Sequence, residues 1–206
     1  FTVGQMGDGL MNCDTGIQHS LGGWLVAGWK SIENAERPAL KRVQYNGAQA
    51  WERVYLGTIG RLTGIGLASS STAVAVGYQT AGTFGFNDGF AMLLGADGTL
   101  VKKAQLGGLK TERLDAVVVA TGGVSYAAGQ RDTAAGGIEG WLVKLDKDLN
   151  TVWSKTYGTV LADTFVDIAL TADGQLGFVG AAGSKSAWIG QVGTDGKMVW
   201  QEYLGG

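Results

Sequence analysis

One pattern of roughly fifty residues recurs four times along this 206-residue chain. A repeat of that length narrows the possible folds more than any single residue does, because it marks propellers, solenoids and arrays. Each copy closes on a short tail: Val54-Tyr55-Leu56-Gly57, Ala104-Gln105-Leu106-Gly107, Lys155-Thr156-Tyr157-Gly158 and Glu202-Tyr203-Leu204-Gly205. The closing glycines are 50, 51 and 47 residues apart. A second landmark is a short apolar run ending in glycine, at Trp24–Gly28, Ala73–Gly77, Ser125–Gly129 and Leu176–Gly180. A third is a strand led by an aromatic residue, Phe90, Trp141 or Trp188; the first copy has Ala39 there. A fourth is a turn, Asn46-Gly47, Asp97-Gly98 or Asp195-Gly196, whose glycine supplies the positive φ that a tight hairpin needs. The third copy departs, with Asp148-Leu149.

After each turn comes a strand carrying Trp51, Val101, Trp153 or Trp200, and before each apolar run lies another, opening at Asp14, Thr63, Asp115 or Asp167. Every copy thus holds four short antiparallel strands. The second strand of a copy is apolar on both faces, as in Ala73 to Val76. A strand of that kind must be sandwiched between two other layers. The expectation is an all-β fold: a β-propeller of four four-stranded blades forming a single domain over 1–206. Its repeats would span 8–57, 58–107, 108–158 and 159–205, and Phe1–Gly7 would be a spare outer strand. A β-solenoid is the rival, and hairpin turns inside each repeat count against it. The spare strand leaves two arrangements open. In one, the four sheets close on themselves in a hemopexin-like ring; in the other, they belong to a larger ring completed by a second copy or by further chain. Trp51, Trp153 and Trp200, sharing a repeat position, read as blade-to-blade packing residues.

The run Gly140-Trp141-Leu142-Val143-Lys144-Leu145-Asp146, continued by Trp153-Ser154-Lys155-Thr156-Tyr157-Gly158, resembles the bacterial extracellular β-propeller repeats. The likeness covers the third copy closely and the rest loosely. It implies the propeller fold and a secreted or cell-surface setting. It does not imply a ligand. The strand–turn–Trp unit is also similar to the tryptophan-docking repeat of quinoprotein propellers, whose Ala-x-Asp-x-x-Thr-Gly-Lys run is absent here.

Composition removes several function classes. The net charge is -2 with no basic patch, which argues against a nucleic-acid partner. There is no apolar run of membrane-spanning length. The single cysteine, Cys13, allows no intrachain disulfide. A chain opening at Phe1 is expected to be a processed or excised piece of a longer one.

Positions where the repeats disagree are where function is expected. Trp29 and Tyr78 follow the glycine of the second strand at equal positions, where Gln130 and Ala181 stand in the other copies. Aromatic rings at a loop mouth can stack on sugars, with Asn34, Arg37, Asn87, Asp88, Arg131 and Asp132 nearby to hydrogen-bond hydroxyls. The alternative is that both rings cap the space between sheets. Asp14, Asp115 and Asp167 read as one repeat position, and such a carboxylate ring could hold calcium through oxygen ligands. The alternative is that each accepts backbone N–H bonds from a turn. No other cofactor is implied. His19, the lone histidine, reads as structural, and Cys13 lacks a neighbouring base in sequence to activate it.

The function expected is therefore a non-enzymatic binding module for a glycan or a protein. One alternative is a self-assembly module, a homo-oligomer pairing through the edge strands Phe1–Gly7 and the last strand. The other is a carboxylate-dependent hydrolase or lyase, with Asp88, Asp132, Glu139 and Asp163 eligible.

Overall fold

The structure, a computed structural model, describes residues 11–19, 22–81, 86–133, 136–159, 161–183 and 186–205. The expected spare strand Phe1–Gly7 lies outside them. The described residues form sixteen strands in four antiparallel sheets, each a meander of four strands in chain order. The first sheet holds β1 (Met11–Gln18), β2 (Trp24–Ile32), β3 (Ala35–Val43) and β4 (Gln49–Val54). The second holds β5 (Gly60–Leu67), β6 (Thr72–Ala81), β7 (Phe86–Gly95) and β8 (Leu100–Leu106). The third holds β9 (Glu112–Val119), β10 (Ser125–Asp132), β11 (Ile138–Leu145) and β12 (Thr151–Tyr157). The fourth holds β13 (Asp163–Leu170), β14 (Leu176–Ala182), β15 (Ser186–Val192) and β16 (Met198–Leu204). Each sheet falls inside one expected repeat.

The sheets pack face to face in chain order. In β6, Ala73 and Ala75 pack with Leu25, Ala27 and Leu40 of the first sheet. The alternate residues Val74 and Val76 pack with Leu114, Val117 and Ala127 of the third. This is why the second strand is apolar on both sides. A third core joins Tyr126, Ala128 and Leu142 to Phe165, Phe178 and Trp188 of the fourth sheet. The leading strands β1, β5, β9 and β13 lie side by side, each of the last three packing on several strands of the sheet before it. The sheets therefore gather along their first strands.

Each leading strand carries one bulge, between its pairings to the next strand at Cys13/Thr15, Leu62/Gly64, Leu114/Ala116 and Phe165/Asp167. The bulge explains the glycine that ends every apolar run. A Cβ at Gly28 or Gly77 would lie 1.9 Å from the carbonyl oxygen of Asn12 or Arg61. At Gly129 or Gly180 it would lie 2.1 Å from that of Arg113 or Thr164. Only glycine lets the backbones approach so closely.

The last strand of each sheet reaches across to the hairpin turn of the next. The ring of Trp51 lies against Gly98, and Tyr55 donates its hydroxyl to the Gly98 carbonyl at 2.8 Å. Trp153 donates from Nε1 to the Thr194 carbonyl at 3.2 Å, and Tyr157 donates to Gly196 at 2.9 Å. Sheet register puts Lys102, not Val101, at this position in the second sheet: Trp51 pairs with Arg42, Lys102 with Leu93, Trp153 with Lys144 and Trp200 with Gln191. The same register matches Gly107 to Leu56, so the first tail is offset by one from its expected alignment. Lys102 bonds the Asp148 carbonyl and, at 3.2 Å, Asn150 Oδ1. The space an indole would fill there belongs to Leu149, which adopts φ 58° and is fully buried.

Trp200 departs from its expected packing role. It is 47% exposed, and its Nε1 donates to Gln191 Oε1 of its own sheet at 2.9 Å. The inter-sheet packing runs first to second, second to third and third to fourth. The outer face of the fourth sheet carries no further layer among the described residues, and Val179 at its centre is 48% exposed.

Candidate functional site

The four bulges aim one residue each toward the line where the leading strands meet. These are Asp14, Thr63, Asp115 and Val166, each lying between the two paired residues of its bulge. Asp167, expected in this set, pairs instead with Val179 and accepts from its neighbour Ile168 N at 2.8 Å. A one-residue shift along a strand changes its face. The expected ring of three carboxylates is therefore not formed. Among the described residues no group of three or more His, Cys, Asp or Glu is arranged to hold a metal ion.

What the bulges do form is a cleft of about 400 Å³ lined by Asp14, Arg61, Thr63, Tyr78, Arg113, Asp115, Gln130, Thr164 and Val166. Both arginines are held in place. Arg61 donates from Nε and Nη2 to the two oxygens of Glu36 at 2.6 and 2.5 Å, and its guanidinium sits 4.5 Å from the ring centre of Trp29. Arg113 pairs with Asp115 at 2.5 Å and sits 5.5 Å from the ring centre of Tyr78. Such cation–π contacts orient a charge as well as stabilising it. Burial pushes the carboxyls of Asp14 and Asp115 above the ordinary carboxylate range, against the pull of Arg61 on the first and Arg113 on the second. Burial likewise raises the Tyr78 hydroxyl. Thr63 is turned inward, donating to the Leu114 carbonyl at 2.5 Å.

Of the two expected stacking aromatics, only Tyr78 lines the cleft. Trp29 stands behind it, its ring covered by Arg61. Each ring carries an arginine from the following sheet, Arg61 on Trp29 and Arg113 on Tyr78. Arg37 is spent on structure: Nη1 donates to the carbonyls of Leu56 and Thr58 at 2.9 and 3.4 Å, clamping the link into the second sheet. Asn34 sits at φ 59° beside Glu33 at φ 53°, forming the exposed two-residue turn between β2 and β3. Asn87, in β7, pairs with Thr80 of β6 and is half-buried. Asp88 is buried, accepts from Gln105 Nε2 at 2.6 Å, and its Oδ1 meets no donor. Burial raises its carboxyl.

Arg131 and Asp132 line a separate cleft of about 440 Å³ with Lys110 and Glu112. Arg131 Nε lies 3.2 Å from Glu112 Oε1, and Glu112, fully buried, is pushed up chiefly by burial. Asp163 stands at the same repeat position as Glu112 and caps a link, accepting from Thr159 N at 2.5 Å and Gly183 N at 3.1 Å. His19 is buried and its main chain closes the turn after β1; burial lowers its imidazole. Burial raises the Cys13 thiol, disfavouring a thiolate.

Arg61, Arg113, Gln130, Thr164 and Val166 line the cleft and were missed as site candidates in the sequence. Arg61 and Arg113 each stand two residues before the bulge residue, a shared position visible once the bulge is placed.

No family model matches this chain, and no curated protein sequence matches it. Among solved structures it is similar to a protein of unknown function from Bacteroides caccae. The two are 10% identical, with a TM-score of 0.54 over 96% of this chain and 83% of the other. The likeness supports the all-β architecture of repeated sheets.

Proposed function

We propose that this chain is a β-propeller-like binding module, secreted or at a cell surface, which takes a glycan in the cleft where its leading strands converge. The radial gathering of four meander sheets along their first strands supports the propeller reading, as does the resemblance of the third repeat to extracellular propeller repeats. One observation carries the binding reading: the four bulges bring two carboxylates and two immobilised guanidinium groups into one cleft, with Tyr78 and Gln130 beside them. Sugar hydroxyls both donate and accept. A wall that alternates fixed acceptors with fixed donors suits them, and the pre-set arginines lower the ordering cost of binding. Recognition is by hydrogen bonding to the polyol rather than by stacking, because the arginines already cover the Trp29 and Tyr78 rings.

A glycan array followed by calorimetry tests this. Arg113→Met and Asp115→Asn each weaken binding by about tenfold or more, the effect of losing a charge-assisted hydrogen bond. Asn34→Ala and Asp132→Ala leave it unchanged. Affinity indifferent to Arg113 and Asp115 would refute the site. Binding also weakens as pH falls through the raised carboxyl values of Asp14 and Asp115, at a higher pH than an ordinary carboxylate would require.

A further inference from the structure

The two ends of the stack differ from its interior in a coordinated way. At each internal junction an aromatic or cationic side chain from the last strand of one sheet meets the hairpin turn of the next. Arg53 approaches Asp97 at 3.7 Å, and Lys155 donates to the carbonyls of Asp195 and Gly196 at 2.9 and 3.0 Å. In the fourth sheet the same strand position is Glu202, which pairs with Ile189 as Arg53 pairs with Leu40. The charge is reversed, so this face would repel an Asp-bearing turn. In the first sheet, the turn position held elsewhere by Asp97, Asp148 and Asp195 is Asn46, an amide. Its neighbour Gly47 is open, with nothing within 4 Å of a Cβ placed there, whereas Gly98 and Gly196 are covered by Trp51 and Lys155.

The faces match as well. The outer face of the fourth sheet presents a shallow apolar groove of about 230 Å³ lined by Ala169, Gly177, Val179, Ile189 and Trp200, with Asp167 at its margin. Register puts Trp24, Val26, Lys30, Lys41 and Glu52 on the outer face of the first sheet, opposite the face that packs on the second. There Lys30 and Lys41 share one carboxylate, Glu52, at 2.7 and 3.0 Å, leaving a net positive patch. An acidic apolar face at one end is thus complementary to a basic apolar face at the other. Trp200 is the docking indole without a turn, and Asn46-Gly47 is the turn without a docking side chain.

We propose that a second copy of this chain covers the fourth sheet, head to tail: Trp200 lies on the partner's Asn46-Gly47 turn, and Glu202 accepts from the Asn46 amide. This continues the junction already made three times within the chain, with a carboxylate–amide hydrogen bond in place of the Arg53–Asp97 ion pair. It is independent of the glycan cleft, which lies on the leading strands.

Sedimentation equilibrium of the whole chain over a concentration series tests it. The expected result is reversible association. Trp200→Glu weakens it at least tenfold, since a central docking indole dominates an interface. Asn46→Asp weakens it about tenfold by setting two carboxylates together, and adding Glu202→Arg to Asn46→Asp restores it by recreating the Arg53–Asp97 pairing. Both sites are exposed turn or edge positions, and circular dichroism confirms that each variant keeps its fold. A chain monomeric at every concentration overturns the proposal, as does association that survives Trp200→Glu, which would indicate edge-to-edge pairing through β16 instead.

Discussion

At the scale of single residues the fold turns on backbone proximity rather than on side-chain size. Gly77 is held to glycine by the Arg61 carbonyl 1.9 Å from where its Cβ would be. Gly77→Ala must push β5 away from β6, and a cost of about 2–3 kcal/mol in denaturant unfolding is expected. Gly57 has open space around it and no left-handed backbone. Gly57→Ala is therefore neutral or stabilising by up to about 0.5 kcal/mol, since it only restricts the unfolded chain. The contrast separates structural glycines from a coincidental one, although the tail pattern presents Gly57 as a repeat landmark. Asp88 makes a second case. Its folded carboxyl is raised by burial, so ionisation costs stability as pH rises through the folded value, and the cost is absent below the ordinary carboxylate range. Asp88→Asn removes that loss. A gain of about 1 kcal/mol at neutral pH, vanishing in acid, is the expected outcome of unfolding titrations at several pH values.

At the scale of strands and turns the repeat is kept by compensation between neighbours. The first and third junctions set an indole against a glycine turn. The second sets Lys102 against Leu149, whose side chain fills the gap from the turn side at the cost of a left-handed backbone. Leu149→Gly relieves that strain but empties the site, for a net loss of about 2 kcal/mol. Lys102→Trp alone overpacks the junction. The pair together rebuilds the indole–glycine form and recovers most of the loss. A double-mutant cycle measures this coupling directly, and additive effects would mean that the two residues do not share the space.

The same scale shows what was legible beforehand. Four strands per repeat, their order and the structural glycines follow from apolar runs and turn residues, which report local physics. The register of the bulge does not. Asp167 sits beside Val166 and carries the residue type of Asp14 and Asp115, so it attracts the alignment. His19, Ala68 and Ala120 each lie five residues after their bulge residue, and Thr171 lies five after Val166. Aligning Asp167 forces a gap that the sequence does not contain. A similar shift hid Lys102 behind Val101, because a lysine does not look like the tryptophans it replaces. The site was harder still: Arg61 and Arg113 become a pair only when successive sheets are stacked and each guanidinium meets the aromatic of the sheet before it.

At the scale of the whole molecule, identical repeat positions have unequal energetic weight because a stack has ends. In repeat architectures stability is largely a sum over neighbour interfaces. Trp153 and Trp200 occupy the same place in consecutive sheets. Trp153 is half-buried, contributes to the core shared with the fourth sheet and donates to the Thr194 carbonyl; Trp200 leans on its own sheet. Trp153→Ala therefore removes a junction and costs about 3 kcal/mol in unfolding free energy. Trp200→Ala, measured at concentrations where the chain is monomeric, costs less than about 1 kcal/mol, since little of the ring leaves a packed environment. Equal losses would mean that the fourth sheet is covered within a single chain and that the stack has no free end. If a second copy covers the fourth sheet as proposed, the ranking changes on association: the penalty at Trp200 grows with protein concentration while that at Trp153 does not, because only the former would belong to an interface that mass action can fill.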